Sequence, residues 1–230
     1  MNASYVMGLD VGPPGEPTGF AILERPALQQ RPREYEYHLR HVERFPPGTA
    51  YTAVIQLVAE RANAAGIKSS PLPIDLTGVG RRFLEQCWRS RAGLNTQAIV
   101  LSAGIIEQKA DNWITQVPKR DLVTSLQLVL QGRRLKISPD LAQAPLLTAE
   151  LSAFRIRHVQ LSDAPAIEWR AGAHDDLVFA VALAVWFAEK HPPIWPGDIR
   201  SGGGLKFPKG VFCFDGPPSF RKVPRGVFHS

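Results

Sequence analysis

Asp10 lies in the stretch YVMGLDVG (residues 5–12), a short apolar run that ends at a glycine. The clustered apolar side chains and the break at Gly12 predict a β-strand. A carboxylate between Leu9 and Val11 must be offset by hydrogen-bonding partners or by a bound cation. The alternative, that Asp10 caps the following turn, is equally compatible with this stretch by itself.

Asp75 stands in a similar position in a second apolar stretch, LPIDL (residues 72–76). Gly78 and Gly80 then predict a turn into a helix over residues 81–91. Two strands that each present an Asp near the end bring the carboxylates together if the strands are neighbours in a sheet. A single carboxylate is weak evidence for a functional site, but two carboxylates on neighbouring strand ends can form a metal site.

A third acidic position opens the stretch AHDDLVFAVALA (residues 173–184), which predicts a helix that is apolar on every side and therefore buried. The positive end of the helix dipole favours the negative charges of Asp175 and Asp176. His174 is a candidate for orienting a water molecule or a ligand beside them. The alternative is an ordinary helix start, with Asp175 as the N-cap and Asp176 as a first-turn acid.

The combination of three separated segments, each with an Asp at the edge of an apolar element, favours a metal site over three unrelated caps. Carboxylate oxygens without matching His or Cys ligands indicate Mg²⁺ or Mn²⁺ rather than zinc, and the sequence has no HExxH motif. Two such ions about 3.5–4 Å apart are suited to phosphodiester hydrolysis.

The order of the remaining apolar patterns predicts an α/β fold. Residues 155–161 and 166–170 form a predicted hairpin, and the Gly-, Pro- and Lys-rich residues 192–230 are expected to be a loosely structured tail. The predicted strands are residues 5–11, 18–24, 35–45, 72–76 and 95–102, and the predicted helices are residues 50–65, 81–91, 118–132, 144–154 and one that starts near residue 174.

The composition is that of a folded protein, with 230 residues of which 44% are hydrophobic and 21% are charged. The net charge of +6 favours a polyanionic partner such as nucleic acid. Two distant cysteines, no export signal and no apolar stretch long enough to cross a bilayer predict a cytoplasmic protein with no membrane partner.

The stretches GLDVG (8–12), IDLTGVGRRFLEQ (74–86) and AHDDLVFAVALA (173–184), in this order, resemble the nuclease domain of phage terminase large subunits, within the RNase H-like superfamily. The resemblance covers about residues 5–191. It implies a mixed five-stranded central sheet flanked by helices, with an added β-hairpin and an irregular C-terminal tail. The domain would then be residues 1–191, and the basic tail residues 192–230.

The resemblance also implies a function: endonucleolytic cleavage of double-stranded phage DNA with two Mg²⁺ or Mn²⁺ ions and little sequence specificity. Its metal ligands fall on Asp10, Asp75 and Asp176, with Asp175 as the second choice in the third segment. Many relatives carry another acid three residues after the ligand that corresponds to Asp176, where this chain has Phe179.

The terminase motor is not evident in the sequence, because no GxxxxGK[ST] phosphate loop occurs. The chain is then a stand-alone relative, a separately encoded half of a terminase or a piece of a longer chain. For a separately encoded half, the resemblance implies a separate packaging ATPase and portal proteins as partners. The resemblance places the protein, phage or prophage encoded, in the cytoplasm of a bacterial host, and we expect a monomer in isolation.

Basic pairs are candidates for contacts with DNA phosphates, although such pairs are often only solvated surface. These candidates are Arg81, Arg82, Lys119, Arg120, Arg133 and Arg134. Two other functions remain open. One is a non-catalytic DNA-binding or assembly module of the same fold, and the other is a dimeric nuclease that resolves four-way (Holliday) DNA junctions.

Overall fold

The computed structural model describes residues 3–26, 35–104, 106–110, 113–154, 156–161, 164–169 and 175–192. They form ten strands and five helices. The strands are β1 (Ser4–Asp10), β2 (Thr18–Arg25), β3 (Tyr37–Phe45), β4 (Pro71–Asp75), β5 (Asn95–Ser102), β6 (Gln108–Lys109), β7 (Ile114–Pro118), β8 (Leu135–Ile137), β9 (Ile156–Leu161) and β10 (Ala164–Trp169). The helices are α1 (Tyr51–Ala64), α2 (Gly80–Ser90), α3 (Lys119–Gln131), α4 (Ala144–Ala153) and α5 (Asp176–Lys190).

Eight strands form one mixed sheet in the order β6-β7-β5-β4-β1-β2-β3-β8. The strands β1, β2 and β3 are successive antiparallel neighbours, whereas β4, β5 and β7 continue from β1 as parallel neighbours. The strands β9 and β10 pair antiparallel as a separate two-stranded sheet, which is the predicted hairpin. The predicted α/β fold, with helices on a mixed sheet, is therefore confirmed.

The predicted count of five strands in the central sheet is wrong, because β6, β7 and β8 extend it at both edges. The edge strands β6 and β8 have two and three residues, which is too short to show the alternation from which a strand is inferred. In β7 the pattern is also hidden by Pro118, which predicts a helix start and is in fact the last residue of that strand before α3.

Two apolar cores lie on opposite faces of the sheet, because successive side chains of a strand alternate between faces. On β2, Phe20 and Ile22 join the core under α1 and α2, while Ala21 and Leu23 join the core under α3, α4 and α5. The prediction that the last helix is buried is confirmed: from Asp176 to Ala188, every residue of α5 except Phe179 is buried. Burial of each large apolar side chain stabilises the fold by roughly 1.5–3 kcal/mol.

Three predictions concern residues outside the described ranges. His174 and residues 193–230 lie outside the described ranges. The role of His174, the irregular tail and the tail's boundary at residue 192 therefore stay predictions. Among the described residues, no helix is both long and apolar enough to cross a membrane.

Candidate active site

Asp10 and Asp75 are the last residues of two strands that lie side by side. The strands β1 and β4 are parallel, and Leu9 pairs with Ile74, so the next residues, the two aspartates, stand at the same edge of the sheet. Leu9 and Ile74 both point into the core under α1 and α2. By alternation, the carboxylates face the opposite side, on which α5 lies.

The start of α5 is held against this part of the sheet by a close backbone approach. Gly19 of β2 is the antiparallel partner of Asp10, and a Cβ atom built on Gly19 would lie 2.1 Å from the carbonyl oxygen of Asp176. Gly8 of β1 meets the helix further along, since its Cβ would lie 2.0 Å from the carbonyl oxygen of Ala180. The absence of two side chains thus lets α5 approach closely and places its first residues beside Asp10.

Asp10 experiences the combined charge of all these carboxylates. Burial, and then the negative charges of Asp75, Asp175 and Asp176, raise the pKa of Asp10 well above its usual range. Each of these interactions disfavours the ionised form of Asp10. The other three acidic side chains that the sequence singled out are therefore within electrostatic range of Asp10.

Asp75 is oriented by its own loop and by the neighbouring strand. Its Oδ1 atom accepts hydrogen bonds from the backbone N–H of Thr77 at 2.9 Å and from the Thr77 hydroxyl at 2.7 Å. The backbone N–H of Leu101, on β5, lies 3.4 Å from the same oxygen. These bonds hold the Asp75 carboxylate in a fixed orientation.

Asp176 is buried, and both of its carboxylate oxygens are engaged by Arg44 of β3. The Arg44 Nε atom donates to Oδ2 at 2.8 Å and Nη2 donates to Oδ1 at 2.9 Å. This bidentate geometry is the strong form of an arginine–carboxylate pair. The Nη2 atom of Arg44 also donates to Oε1 of the buried Glu150, on α4.

The N-terminus of α5 is capped by Glu150 rather than by Asp175. The Oε2 atom of Glu150 accepts a hydrogen bond from the backbone N–H of Val178 at 3.3 Å. The side chain of Asp175, which occupies the N-cap position, makes no capping bond to the helix. The conventional interpretation of Asp175 as the N-cap that satisfies the helix start is therefore not what the structure shows.

The residues present fit a divalent cation by their chemistry. Within the described ranges, no three His, Cys, Asp or Glu side chains are already arranged as ligands of a single ion. The donors near Asp10 are nevertheless carboxylate oxygens, which Mg²⁺ and Mn²⁺ prefer. The repulsion that Asp75, Asp175 and Asp176 exert on Asp10 is what a bound cation would relieve.

Two of the three basic pairs lie at the same edge of the sheet as these carboxylates. Arg81 and Arg82 are in the first turn of α2, shortly after β4 ends. Lys119 and Arg120 begin α3 directly after β7, whose last residue lies at this edge because β7 is parallel to β5, β4 and β1. In addition, Arg120 is 3.4 Å from the carboxylate of its neighbour Asp121.

The third pair, Arg133 and Arg134, lies at the opposite ends of the strands, away from the carboxylates. These residues precede β8, which pairs with the beginning of β3, and Arg134 donates to Glu189 at 2.9 and 3.1 Å. Glu189 is thirteen residues along α5 from Asp176, a distance of about 20 Å at 1.5 Å per residue. The structure therefore does not bring this pair to the carboxylates.

Sequence reasoning missed Arg44, Glu150, Gly8 and Gly19. A glycine inside a predicted strand is a signal for close backbone approach, and both glycines could have been found in that way. Arg44 and Glu150 give no such signal, because their bonds join residues 106 and 132 positions apart.

Neither a protein-family model nor a curated protein sequence matches the chain. Solved structures do. The large terminase nuclease from thermophilic phage G20c is 18% identical with a TM-score of 0.54, and the match covers 79% of this chain and 81% of that one. The g2p (large terminase) nuclease domain from bacteriophage SPP1, solved with bound Mn, is 12% identical with a TM-score of 0.50, covering 81% and 86%.

The large terminase of bacteriophage HK97 is 13% identical with a TM-score of 0.51, and the match covers 82% of this chain and 40% of that one. At these identities the likeness concerns the fold. The resemblance indicated by the three sequence motifs is confirmed at that level: the chain has the RNase H-like fold of terminase large-subunit nuclease domains.

Proposed function

We propose that the chain is a divalent-metal-dependent endonuclease that cleaves double-stranded DNA with little sequence specificity. The observation on which this depends most is the placement of Asp10 and Asp75 on adjacent strand ends, next to the acidic start of α5. The shared fold with phage terminase nucleases supports the same function.

In this proposal Asp10, Asp75 and the acidic start of α5 hold Mg²⁺ or Mn²⁺. When bound, two such ions supply an activated water and stabilise the charge on the leaving oxygen. The chain's own contribution is to fix the carboxylates: the Thr77 bonds orient Asp75, and the contact of Gly19 with α5 places the third segment.

Asp175 is better suited than Asp176 to ligate directly. Both oxygens of Asp176 are already engaged by the Arg44 guanidinium, whose positive charge opposes a cation at that position. We therefore favour Asp175 as the ligand from α5 and Asp176 as a structural acid. The preference of the sequence resemblance for Asp176 stays a competing prediction, as does the role of His174.

The DNA backbone would lie along the edge of the sheet that holds the carboxylates. We propose that Arg81, Arg82, Lys119 and Arg120 contact phosphates there without reading sequence, since they begin the helices that follow β4 and β7. Arg133 and Arg134 do not belong to this surface, because they lie at the opposite ends of the strands.

The cellular role proposed is DNA cutting during phage packaging. The fold shared with large terminases supports this role. A separately encoded packaging ATPase and portal proteins would then be partners, in the cytoplasm of a bacterial host carrying the phage or prophage. We propose a monomer in isolation.

A non-catalytic DNA-binding or packaging assembly module is the second candidate. Two observations favour it: Phe179 stands where many relatives carry an acid, and Arg44 already occupies both oxygens of Asp176. Such a module would bind DNA but would not cut it in the presence of any divalent cation.

Incubation of supercoiled plasmid with the protein and Mn²⁺ tests the proposal. The wild type should nick and linearise the plasmid. Asp10→Asn and Asp75→Asn should each reduce the cleavage rate by at least about 100-fold, because loss of a residue that only supports a metal ligand already costs about 10- to 100-fold. Glu60→Gln, on the exposed side of α1, removes one negative charge elsewhere and should leave the rate unchanged.

Cutting that survives in both aspartate variants, or a wild type that binds DNA without cutting it, would overturn the enzyme assignment. A four-way junction is included as a substrate, with sizing of the protein in solution. Strong preference for the junction together with a dimer would instead assign a junction-resolving nuclease.

A further inference from the structure

Arg44 lies at the centre of a buried ion-pair network beside the carboxylate site. Its guanidinium donates to both oxygens of Asp176 and to Oε1 of Glu150. The side chains of Arg44, Asp176 and Glu150 are only 16%, 6% and 6% exposed. Each pair is therefore largely removed from solvent. In a buried network, loss of one partner leaves the remaining charges without compensation.

The network joins three elements at the start of α5. Arg44 belongs to β3 and Glu150 to α4, and the Glu150 carboxylate also accepts the Val178 N–H of α5. Furthermore, the backbone N–H of Arg44 donates to Oε1 of Gln143, the residue that precedes α4, at 2.9 Å. The first turn of α5 is thus tied both to the sheet and to α4.

The charges in this network are unequal, since one guanidinium faces two carboxylates. The α5 N-terminus supplies the remaining positive potential, because its unpaired N–H groups and the helix dipole favour a carboxylate at that position. The bond from Val178 N–H to Glu150 is the direct contact through which this occurs. Network and helix start therefore stabilise each other.

The network is also in register with the candidate metal ligands. Arg44 pairs with Gly19 across β3 and β2, and Gly19 pairs with Asp10 across β2 and β1. Paired residues point to the same face of a sheet. The row Asp10, Gly19, Arg44 consequently faces the first turn of α5, where Asp175 and Asp176 lie.

We propose that Arg44 is a positioning residue for the metal site: by bridging Asp176 and Glu150 it fixes the first turn of α5, and with it the Asp175 carboxylate, beside Asp10. This inference rests on the proposed nuclease function, since it assigns a role to residues around the same site. In it, Asp176 and Glu150 act through α5 and do not touch the substrate.

Lysine is the informative replacement for Arg44. Removal of the positive charge would by itself strengthen cation binding at an acidic site and so obscure any loss of positioning. Arg44→Lys keeps the charge but loses the planar group that bridges two carboxylates. The matched control is Arg134→Lys, which makes the same change in the ion pair with Glu189 at the other end of α5.

The experiment measures the Mn²⁺ dissociation constant of the full chain by calorimetry, together with hydrogen exchange of the α5 backbone amides. Arg44→Lys should weaken Mn²⁺ binding by about tenfold, the lower range for loss of a group that orients a metal ligand, and should speed exchange at Val178 and Phe179. Arg134→Lys should keep Mn²⁺ binding within about twofold of the wild type and leave exchange at the α5 start unchanged.

Equal Mn²⁺ affinities in the two lysine variants, whether both weakened or both unchanged, would overturn the positioning role. A wild type that binds no Mn²⁺ would instead overturn the proposed function. Hydrogen exchange still decides the structural part in that case: unchanged exchange at Val178 in Arg44→Lys would refute the claim that the network fixes the helix start.

Discussion

Replacing Gly19 with alanine tests whether the close approach of α5 to β2 sets the geometry of the site. The added Cβ would lie 2.1 Å from the Asp176 carbonyl oxygen and 2.5 Å from its carbonyl carbon, whereas ordinary contacts of a Cβ begin at 3.4 Å. Both atoms are backbone and cannot rotate away. The first turn of α5 must therefore move from the sheet by at least about 1 Å, which corresponds to a rate loss of about 100-fold when the displaced group is part of a reacting site.

The assay for Gly19→Ala is the initial rate of plasmid nicking in saturating Mn²⁺, accompanied by urea unfolding. Overpacking should lower the free energy of unfolding by about 1–3 kcal/mol, although alanine is intrinsically favoured over glycine in a strand by roughly 0.5–1 kcal/mol. Gly104→Ala is the control, because the nearest atom to its Cβ is the Ser102 hydroxyl at 3.3 Å. Wild-type cleavage and stability in Gly19→Ala would refute the argument that this contact places α5.

Two further predictions concern stability. Because burial and neighbouring carboxylates raise the pKa of Asp10 above its usual 3.8, ionised Asp10 destabilises the metal-free fold, so stability in EDTA should fall as pH rises from about 4 towards the folded-state pKa. Urea unfolding of Asp10→Asn should lack this part of the pH dependence; an unchanged profile would contradict the clustering. At the other end of α5, the buried Arg25 donates to the Ala188 carbonyl at 2.6 Å, so Arg25→Met should cost about 2 kcal/mol in urea unfolding, and a neutral result would contradict that capping role.

The elements with strong patterns could be predicted from the sequence. The apolar runs that end at Asp10 and Asp75 are strands, and the apolar segment after Asp176 is a buried helix. These signals are local, since they depend on side-chain alternation and on turn residues a few positions away. The alignment of the two strands side by side followed from the family resemblance rather than from any local pattern.

The parts that could not be predicted depend on long-range contacts. Strand β8 has three residues and exists because it pairs with the beginning of β3. Arg44 resembles any charged residue near a strand end, and its role appears only when α4 and α5 pack against β3. For the same reason, the difference between Asp175 and Asp176 could not be inferred from two adjacent identical residues.

Mn²⁺ anomalous diffraction from metal-soaked crystals shows whether the separated aspartates converge on divalent cations at one edge of the sheet. We expect anomalous peaks within about 2.0–2.4 Å of carboxylate oxygens of Asp10 and Asp75, the range for oxygen ligands of such cations, with Asp175 completing the site. An absence of Mn²⁺ between the ends of β1 and β4, in crystals that bind the ion elsewhere, would show that these aspartates do not form a metal site.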